Sequence, residues 1–278
     1  MSKQNVQRTA QLISDAIAEL LERGTRAVLA TVVESSESYP AVAAKLFVNE
    51  SGKRVGSLGD SDLDNAIAGQ AITFLQTRDE ARIFKTSEFV PQLAQLSETK
   101  ILFERLEAEP RLVIAGAGHV GASLARLAAI AAYRVTLIDD RPEFVDRTLF
   151  ASPVEENIEL VAAEDWQDAM CSAIDTGRAV SVAIVTRGHK QDEECLRAAI
   201  AARPDYIGMI GSKRRTNIVL EKLREEGADE GDLKKVRAPI GLDIGAVSPE
   251  EVALSILAEI VAERRGGSGA PLSNWRRS

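Results

Sequence analysis

RLVIAGAGHVGASLARLAAIAAYRVTLIDD, residues 111–140, decides how the larger part of this 278-residue chain folds. A short apolar run, 112–115, meets Gly116-Ala117-Gly118-His119-Val120-Gly121. Apolar residues then recur at helical spacing over 119–132, and a second apolar run, 134–138, ends in the acid Asp139. Strand, G-x-G-x-x-G turn, helix and strand with a terminal acid is the context in which that glycine spacing carries information. The first glycine permits a tight turn, the second lets backbone approach a pyrophosphate, and the third lets the helix pack on the sheet. Amides at the helix N-terminus then face the anion. By itself the spacing also suits a βα turn that needs glycine for geometry only. Asp139 reads either as an acceptor for a ribose hydroxyl or as an ordinary polar strand end, with Asp140 and Arg141 as neighbours.

The same rhythm continues beyond this unit. Runs 158–162, 180–186 and 206–210 read as strands, with helices beginning near Glu164, Gln191 and Ser212. Such alternation predicts a mostly parallel sheet covered on both faces. Ser248-Pro249-Glu250-Glu251 spells a capping box with proline at the first helical position, opening a last helix that runs to about Glu263. The expected fold class is therefore α/β: a Rossmann-like, doubly wound domain over 109–264. A tail rich in Gly, Ser and Arg, 265–278, is expected to be disordered. A smaller mixed α/β domain, 1–108, precedes it. Its expected elements are a helix at 7–22, strands at 26–33 and 41–48 around the polar stretch 34–40, a turn at 49–53, a helix at 60–77, and strands at 81–85 and 100–106.

Composition removes several function classes. A net charge of -8 offers no basic excess with which to neutralise a nucleic-acid backbone. Two cysteines, Cys171 and Cys195, make no disulfide framework or cysteine-rich zinc site, and their place in expected helices reads as burial. The N-terminus lacks the apolar core of a signal peptide, and no apolar run approaches membrane-spanning length, so a cytoplasmic protein is expected.

Two further loops follow strands of the same sheet: Thr186-Arg187-Gly188-His189 and Gly211-Ser212-Lys213-Arg214-Arg215. If those strands run parallel to the first, all three loops share the carboxyl edge, where open α/β sheets bind ligands. Lys213, Arg214 and Arg215 occupy the first turn of a helix, the end where the macrodipole prefers anions. An anionic ligand would compensate them; a solvated basic face is the plainer alternative. The two histidines of the chain, His119 and His189, both fall in these loops and read as hydrogen-bonding or simply structural residues. With no third histidine, a protein metal site is not expected. Asp243, in the glycine-spaced loop 239–245, reads as a residue that orients ligand or neighbouring amides.

With those segments in view, the chain resembles the XdhC family of accessory proteins for molybdenum hydroxylases such as xanthine dehydrogenase. RLVIAGAGHVGASLARLAA, VTLIDDRPEF, VTRGHKQDEECL, YIGMIGSKRR and APIGLDIGAVSPEEVALSILAEI carry the resemblance over most of 111–262, and ATVVESSESYP with AKLFVNESGKRVGSLG extends it to the first half. The resemblance implies binding of molybdenum cofactor, as molybdopterin or its dinucleotide form. It further implies help in the cofactor's sulfuration with a cysteine desulfurase, its delivery to an apo-molybdenum hydroxylase, and a homodimer. It carries ligand contact to Gly116, Gly118, His119, Gly121, Thr186, Arg187, Gly188, His189, Gly211, Ser212, Lys213 and Arg214. Where many relatives have a glycine-rich stretch with a cysteine, this chain has Asp60-Ser61-Asp62-Leu63, and Ala41 follows Pro40 where an arginine is frequent. An NAD(P)-dependent oxidoreductase on the same fingerprint, and a nucleotide-sensing regulatory protein, stay open as alternatives.

Overall fold

The computed structural model describes residues 3–35, 40–90, 92–93 and 96–273, and the chain divides into two compact units, 1–108 and 109–278.

The first unit is built on β1 (Arg26–Glu34), which lies at the centre of an antiparallel sheet. With β2 (Lys45–Asn49), β3 (Arg54–Gly56), β4 (Ala81–Lys85) and β5 (Lys100–Glu107), the strand order is β3-β2-β1-β5-β4. Period-two alternation makes β1 apolar on both faces. Val28, Ala30 and Val32 share a core with Ile67 and Phe74 of α2 (Ser61–Leu75), while Ala27 joins Ile13 and Leu20 of α1 (Lys3–Arg23) on the other side. Asp60 caps α2, its carboxylate accepting from the Asp62 and Leu63 amides at 2.9 and 2.8 Å. The expected strand 41–48 starts only at Lys45. Ala43 adopts a left-handed φ of 69° and the Ala44 amide turns back to the Ala41 carbonyl at 3.0 Å, so 41–44 form a turn instead. Of the polar stretch 34–40, residues 36–39 lie outside the described residues.

In the second unit, β6 (Arg111–Ala115), β7 (Arg134–Asp139), β8 (Glu159–Ala162), β9 (Val180–Ile184) and β10 (Tyr206–Met209) form a parallel sheet in the order β10-β9-β6-β7-β8. This is the Rossmann order, and its direction reverses between β6 and β9. Side chains of β6 alternate between two cores. Leu112 and Ile114 pack with α3 (His119–Ile130) and α8 (Pro249–Arg265). Val113 and Ala115 pack with α4 (Trp166–Ile174), α5 (His189–Ala202), α6 (Lys213–Glu225) and α7 (Glu230–Lys235). All five residues of β9 are buried, as a strand covered on both faces requires. Beyond α7, Arg237 bridges Gly208 in parallel, a single-residue remnant of a sixth strand position. Helix α7 has no counterpart in the sequence reading; it is one short turn capped by Asp229.

Helix α8 runs to Arg265 and stops at Gly266 in a left-handed C-cap, the Gly267 amide returning to the Ala262 carbonyl at 2.7 Å. The start of the expected disordered tail is thus ordered as a helix end, and 274–278 lie outside the described residues. The capping box at Ser248 is complete: its hydroxyl accepts from the Glu251 amide at 3.2 Å, and the Glu251 carboxylate accepts from the Ser248 amide at 3.0 Å. Replacing Ser248 by Ala should cost about 1 kcal/mol, and by Gly only a few tenths. Urea unfolding of the two variants checks this, equal losses overturning the capping role.

Candidate functional site

Because β6 and β9 are neighbours at the point where the strand order reverses, the loops leaving their carboxyl ends meet. Gly116, with φ 108°, turns so tightly that a Cβ would stand 2.7 Å from the Val185 carbonyl oxygen. At Gly121 a Cβ would stand 1.8 Å from the Gly116 carbonyl oxygen, so only glycine lets α3 close on the turn. Gly118 differs from both. Its φ of -65° suits any residue, and a Cβ there would meet nothing within 4 Å. No protein contact demands glycine at 118, and the space it leaves opens on a cleft beside the first turn of α3. The amides of that turn have no intrahelical acceptor and sit at the positive end of the helix dipole.

The cleft, open to solvent, is lined by Gly116, Gly118, Asp139, Asp140, Arg141, Trp166, Val185, Thr186, Arg187 and Gln191. Asp139 ends β7 and is 1% exposed. One of its oxygens accepts from the Arg141 amide at 3.0 Å and Arg141 Nε at 2.8 Å; the other accepts from the Ala117 amide at 2.7 Å and an Arg141 terminal nitrogen at 3.0 Å. A carboxylate has about four acceptor sites, and these donors fill them. The expected ribose contact at Asp139 is therefore corrected: the side chain is spent inside the protein, clamping the glycine turn to the end of β7. Burial pushes its carboxyl up, but the Arg141 guanidinium and the Ala117 and Arg141 amides outweigh that and hold it below the ordinary range. Asp140, with 29% of its side chain exposed, remains open to the cleft and faces Arg187 at 3.4 Å.

Thr186 is held from below by a residue that sequence reasoning missed. Asp192 is fully buried in the first turn of α5, accepts from Thr186 Oγ1 at 2.5 Å, and pairs with Arg215 at 2.5 Å. Arg215 also donates to the Thr186 carbonyl at 3.1 Å. Burial pushes the Asp192 carboxyl up, against the pull of the Thr186 hydroxyl and the Arg215 guanidinium. The three-cation turn thus needs correcting at one position, because Arg215 already has a buried partner. Lys213 and Arg214 are exposed. An acid three residues into a helix was the available signal for Asp192, and it did not reveal which cation it would meet.

Among the predicted residues, Gly116, Gly118, Asp139, Thr186 and Arg187 come together in the cleft wall, and Gly121 backs it. Gly188 caps α5 beside Gln191. His119 and His189 are exposed first residues of α3 and α5 and lie outside that wall, as do Gly211, Ser212, Lys213, Arg214 and Asp243. The turn at Gly211 follows β10, one strand further out, and Arg215 ties it to the Thr186 loop. Trp166, 6% exposed at the start of α4, adds a flat wall that the sequence did not suggest. Cys195 is buried, and burial pushes its thiol up; Cys171 is exposed on α4, so the reading of both as buried holds for only one. Among the described residues, no group of three or more His, Cys, Asp or Glu side chains is placed to hold a metal ion, and no helix is long and apolar enough to cross a membrane.

Gly118→Val should cost no more than about 1 kcal/mol of unfolding free energy, the difference between glycine and an apolar residue at the N-cap of α3. Gly121→Ala, by contrast, should cost more than about 2 kcal/mol through its backbone clash. Urea melts compare the two; similar losses would place Gly118 in the fold rather than the cleft. A carboxylate held low contributes stability at neutral pH that disappears as pH falls through its folded value. Asp139→Asn should therefore cost about 3 kcal/mol at pH 7 and flatten the loss of stability below about pH 4. Unchanged acid unfolding in the variant would rule out the clamp.

A model of the XdhC Rossmann domain matches residues 112–260, and a model of the XdhC and CoxI family matches 20–85. The chain is 28% identical over 256 residues to Uncharacterized protein YqeB of Escherichia coli K12, covering 91% of this chain and 46% of that protein. It is 29% identical over 167 residues to a probable xanthine dehydrogenase subunit of Bacillus subtilis 168, covering 60% of this chain and 47% of the other. Over 69 residues it is 39% identical to Molybdenum cofactor insertion chaperone PaoD of E. coli K12, covering 25% of this chain and 22% of that one. The chain thus spans about half the length of the first two relatives, or less. Since the Rossmann-domain model alone accounts for more than half of its residues, the chain belongs to the XdhC family.

Proposed function

We propose that this protein binds molybdenum cofactor through its phosphate-bearing end and serves the maturation of a molybdenum hydroxylase, assisting sulfuration and insertion of the cofactor. The observation that carries the proposal is Gly118: a glycine required by no neighbour, at a helix N-terminus, beside a cleft at the switch point of a Rossmann sheet. Membership of the XdhC family supports it, as do the names of two relatives, one a molybdenum cofactor insertion chaperone and one a probable xanthine dehydrogenase subunit.

The chain's own residues fit a phosphate better than they fit a metal. Amides of the first turn of α3 would hold the anion, with Arg187 supplying charge from the opposite loop. Lys213 and Arg214 sit in the α6 turn that Arg215 ties to the Thr186 loop, from where they extend the positive field toward a bound anion. The cofactor, as cargo, brings the molybdenum and its pterin. The protein's task is to bind, shield and release it, with an apo-molybdenum hydroxylase as recipient and a cysteine desulfurase as sulfur source.

Purified protein mixed with molybdopterin or with its dinucleotide form at micromolar concentration should retain at least one of them on gel filtration, and Gly118→Val should retain neither. The double variant Lys213→Ala, Arg214→Ala should bind at least about tenfold more weakly. Retention of neither form by the wild type would sink the proposal; unaltered affinity in the double variant would reduce the α6 cations to a solvated face.

A further inference from the structure

The cleft contains two adjacent carboxylates with opposite availability, and that difference says what kind of ligand it takes. Asp139 has no acceptor left, whereas Asp140 makes only long contacts: 3.8 Å to Arg141 Nε and 3.5 and 3.4 Å to the Arg187 guanidinium. Both Asp140 oxygens are thus free to accept short hydrogen bonds from a donor entering the cleft. Inorganic phosphate or a phosphate monoester offers Asp140 only repulsion. A vicinal diol offers two hydroxyl donors at the spacing of two carboxylate oxygens, and it is neutral.

The surroundings of Asp140 suit a nucleoside on a diphosphate. Asp140 follows β7, next to β6, so it stands about one strand spacing, ~5 Å, to the side of the glycine turn. An acid at that place relative to a glycine loop is positioned to accept from ribose hydroxyls while the pyrophosphate lies on the helix N-terminus. The flat, buried face of Trp166 and the amide of Gln191 complete the wall. Arg187, freed from its weak contact with Asp140 when a diol takes those oxygens, can turn to the diphosphate.

We infer that Asp140 reads the 2′,3′-diol of a ribonucleoside diphosphate, so the cleft accepts a ribonucleotide end and not a bare phosphate monoester. This rests on the reading of the cleft as a phosphate site and sharpens it, because it selects the dinucleotide form of the cofactor over molybdopterin alone. The same ribonucleoside diphosphate chemistry is presented by NADH, and the experiment separates the two sources.

The test is isothermal titration of the full chain with CDP, GDP and ADP, with their 2′,3′-dideoxy counterparts and with inorganic pyrophosphate. The titrations are repeated on Asp140→Asn, whose melting temperature is checked first. Trp166 gives a second readout, since Trp275 is the only other tryptophan and Trp275→Phe leaves one reporter. At least one ribonucleotide should bind about tenfold or more tightly than its dideoxy form, as expected for hydrogen bonds to a charged acceptor. In Asp140→Asn that gap should shrink severalfold, while pyrophosphate binds no more weakly than to wild type. Equal binding of the ribo and dideoxy forms, or equal loss of both in the variant, overturns the inference. So does failure of every nucleotide at millimolar concentration while molybdopterin is retained, an outcome that leaves the proposed function standing. Nucleotide binding with the ribose preference, but no retention of molybdopterin or its dinucleotide, upholds the diol site and removes the cofactor reading; saturable NADH binding would then name the source.

Discussion

One buried carboxylate organises the carboxyl edge of the sheet in the second unit. Asp139 sits at the end of β7 and pulls in the amide of Ala117, in the middle of the glycine turn that leaves β6. The turn has no side chain of its own with which to hold a shape, so its shape comes from that bond and from the contact between Gly116 and Gly121. Arg141 completes the arrangement by neutralising the acid from two residues away while its guanidinium lies 3.6 Å from the ring centroid of Phe144. A charge this deep is tolerated only when fully paired and hydrogen-bonded, and Asp139 meets both conditions. The acid that the glycine fingerprint offers as a ribose acceptor is instead the partner of the glycine turn itself.

Asp192 does for the second loop what Asp139 does for the first. It holds the Thr186 hydroxyl and, through Arg215, brings the first turn of α6 against the Thr186 carbonyl. Two strand ends that the chain places far apart in sequence are coupled by a single ion pair. Of the cations at 213–215, the one consumed inside this pair is unavailable to a ligand, and the exposed two remain. The edge of the sheet therefore presents amides, a half-exposed acid and exposed cations on a frame held by two buried acids. Division of labour of that kind leaves the exposed groups of this edge free of structural duty.

Much of this was legible in the chain. The periodicity of 111–140, with its glycine spacing, predicts β6, the turn, α3 and β7, because each of those depends on local steric and solvation preferences. The capping box at Ser248 is equally local, and it appears with both of its hydrogen bonds. Where reading failed, a nonlocal partner or a special backbone angle was responsible. Ala43 takes a left-handed conformation that its residue type does not announce, which delays β2. Cys171 and Cys195 look alike in their helices, yet only Cys195 faces the sheet.

The amino-acid sequence by itself determined the α/β alternation and the three loops at strand ends, since these are set within a few residues along the chain. Only the tertiary structure decided which acid is spent and which is free. Asp139 and Asp140 are adjacent and chemically identical, and they differ in their partners: the Ala117 and Arg141 amides and the Arg141 guanidinium surround Asp139, the last residue of β7, whereas Asp140, just past the strand end, has only long contacts to Arg141 and Arg187. The pairing of Arg215 with Asp192 was decided in the same way, 23 residues apart in the chain. Hydrogen-bond saturation is a property of who stands within 3 Å, and no spacing in a single sequence records it.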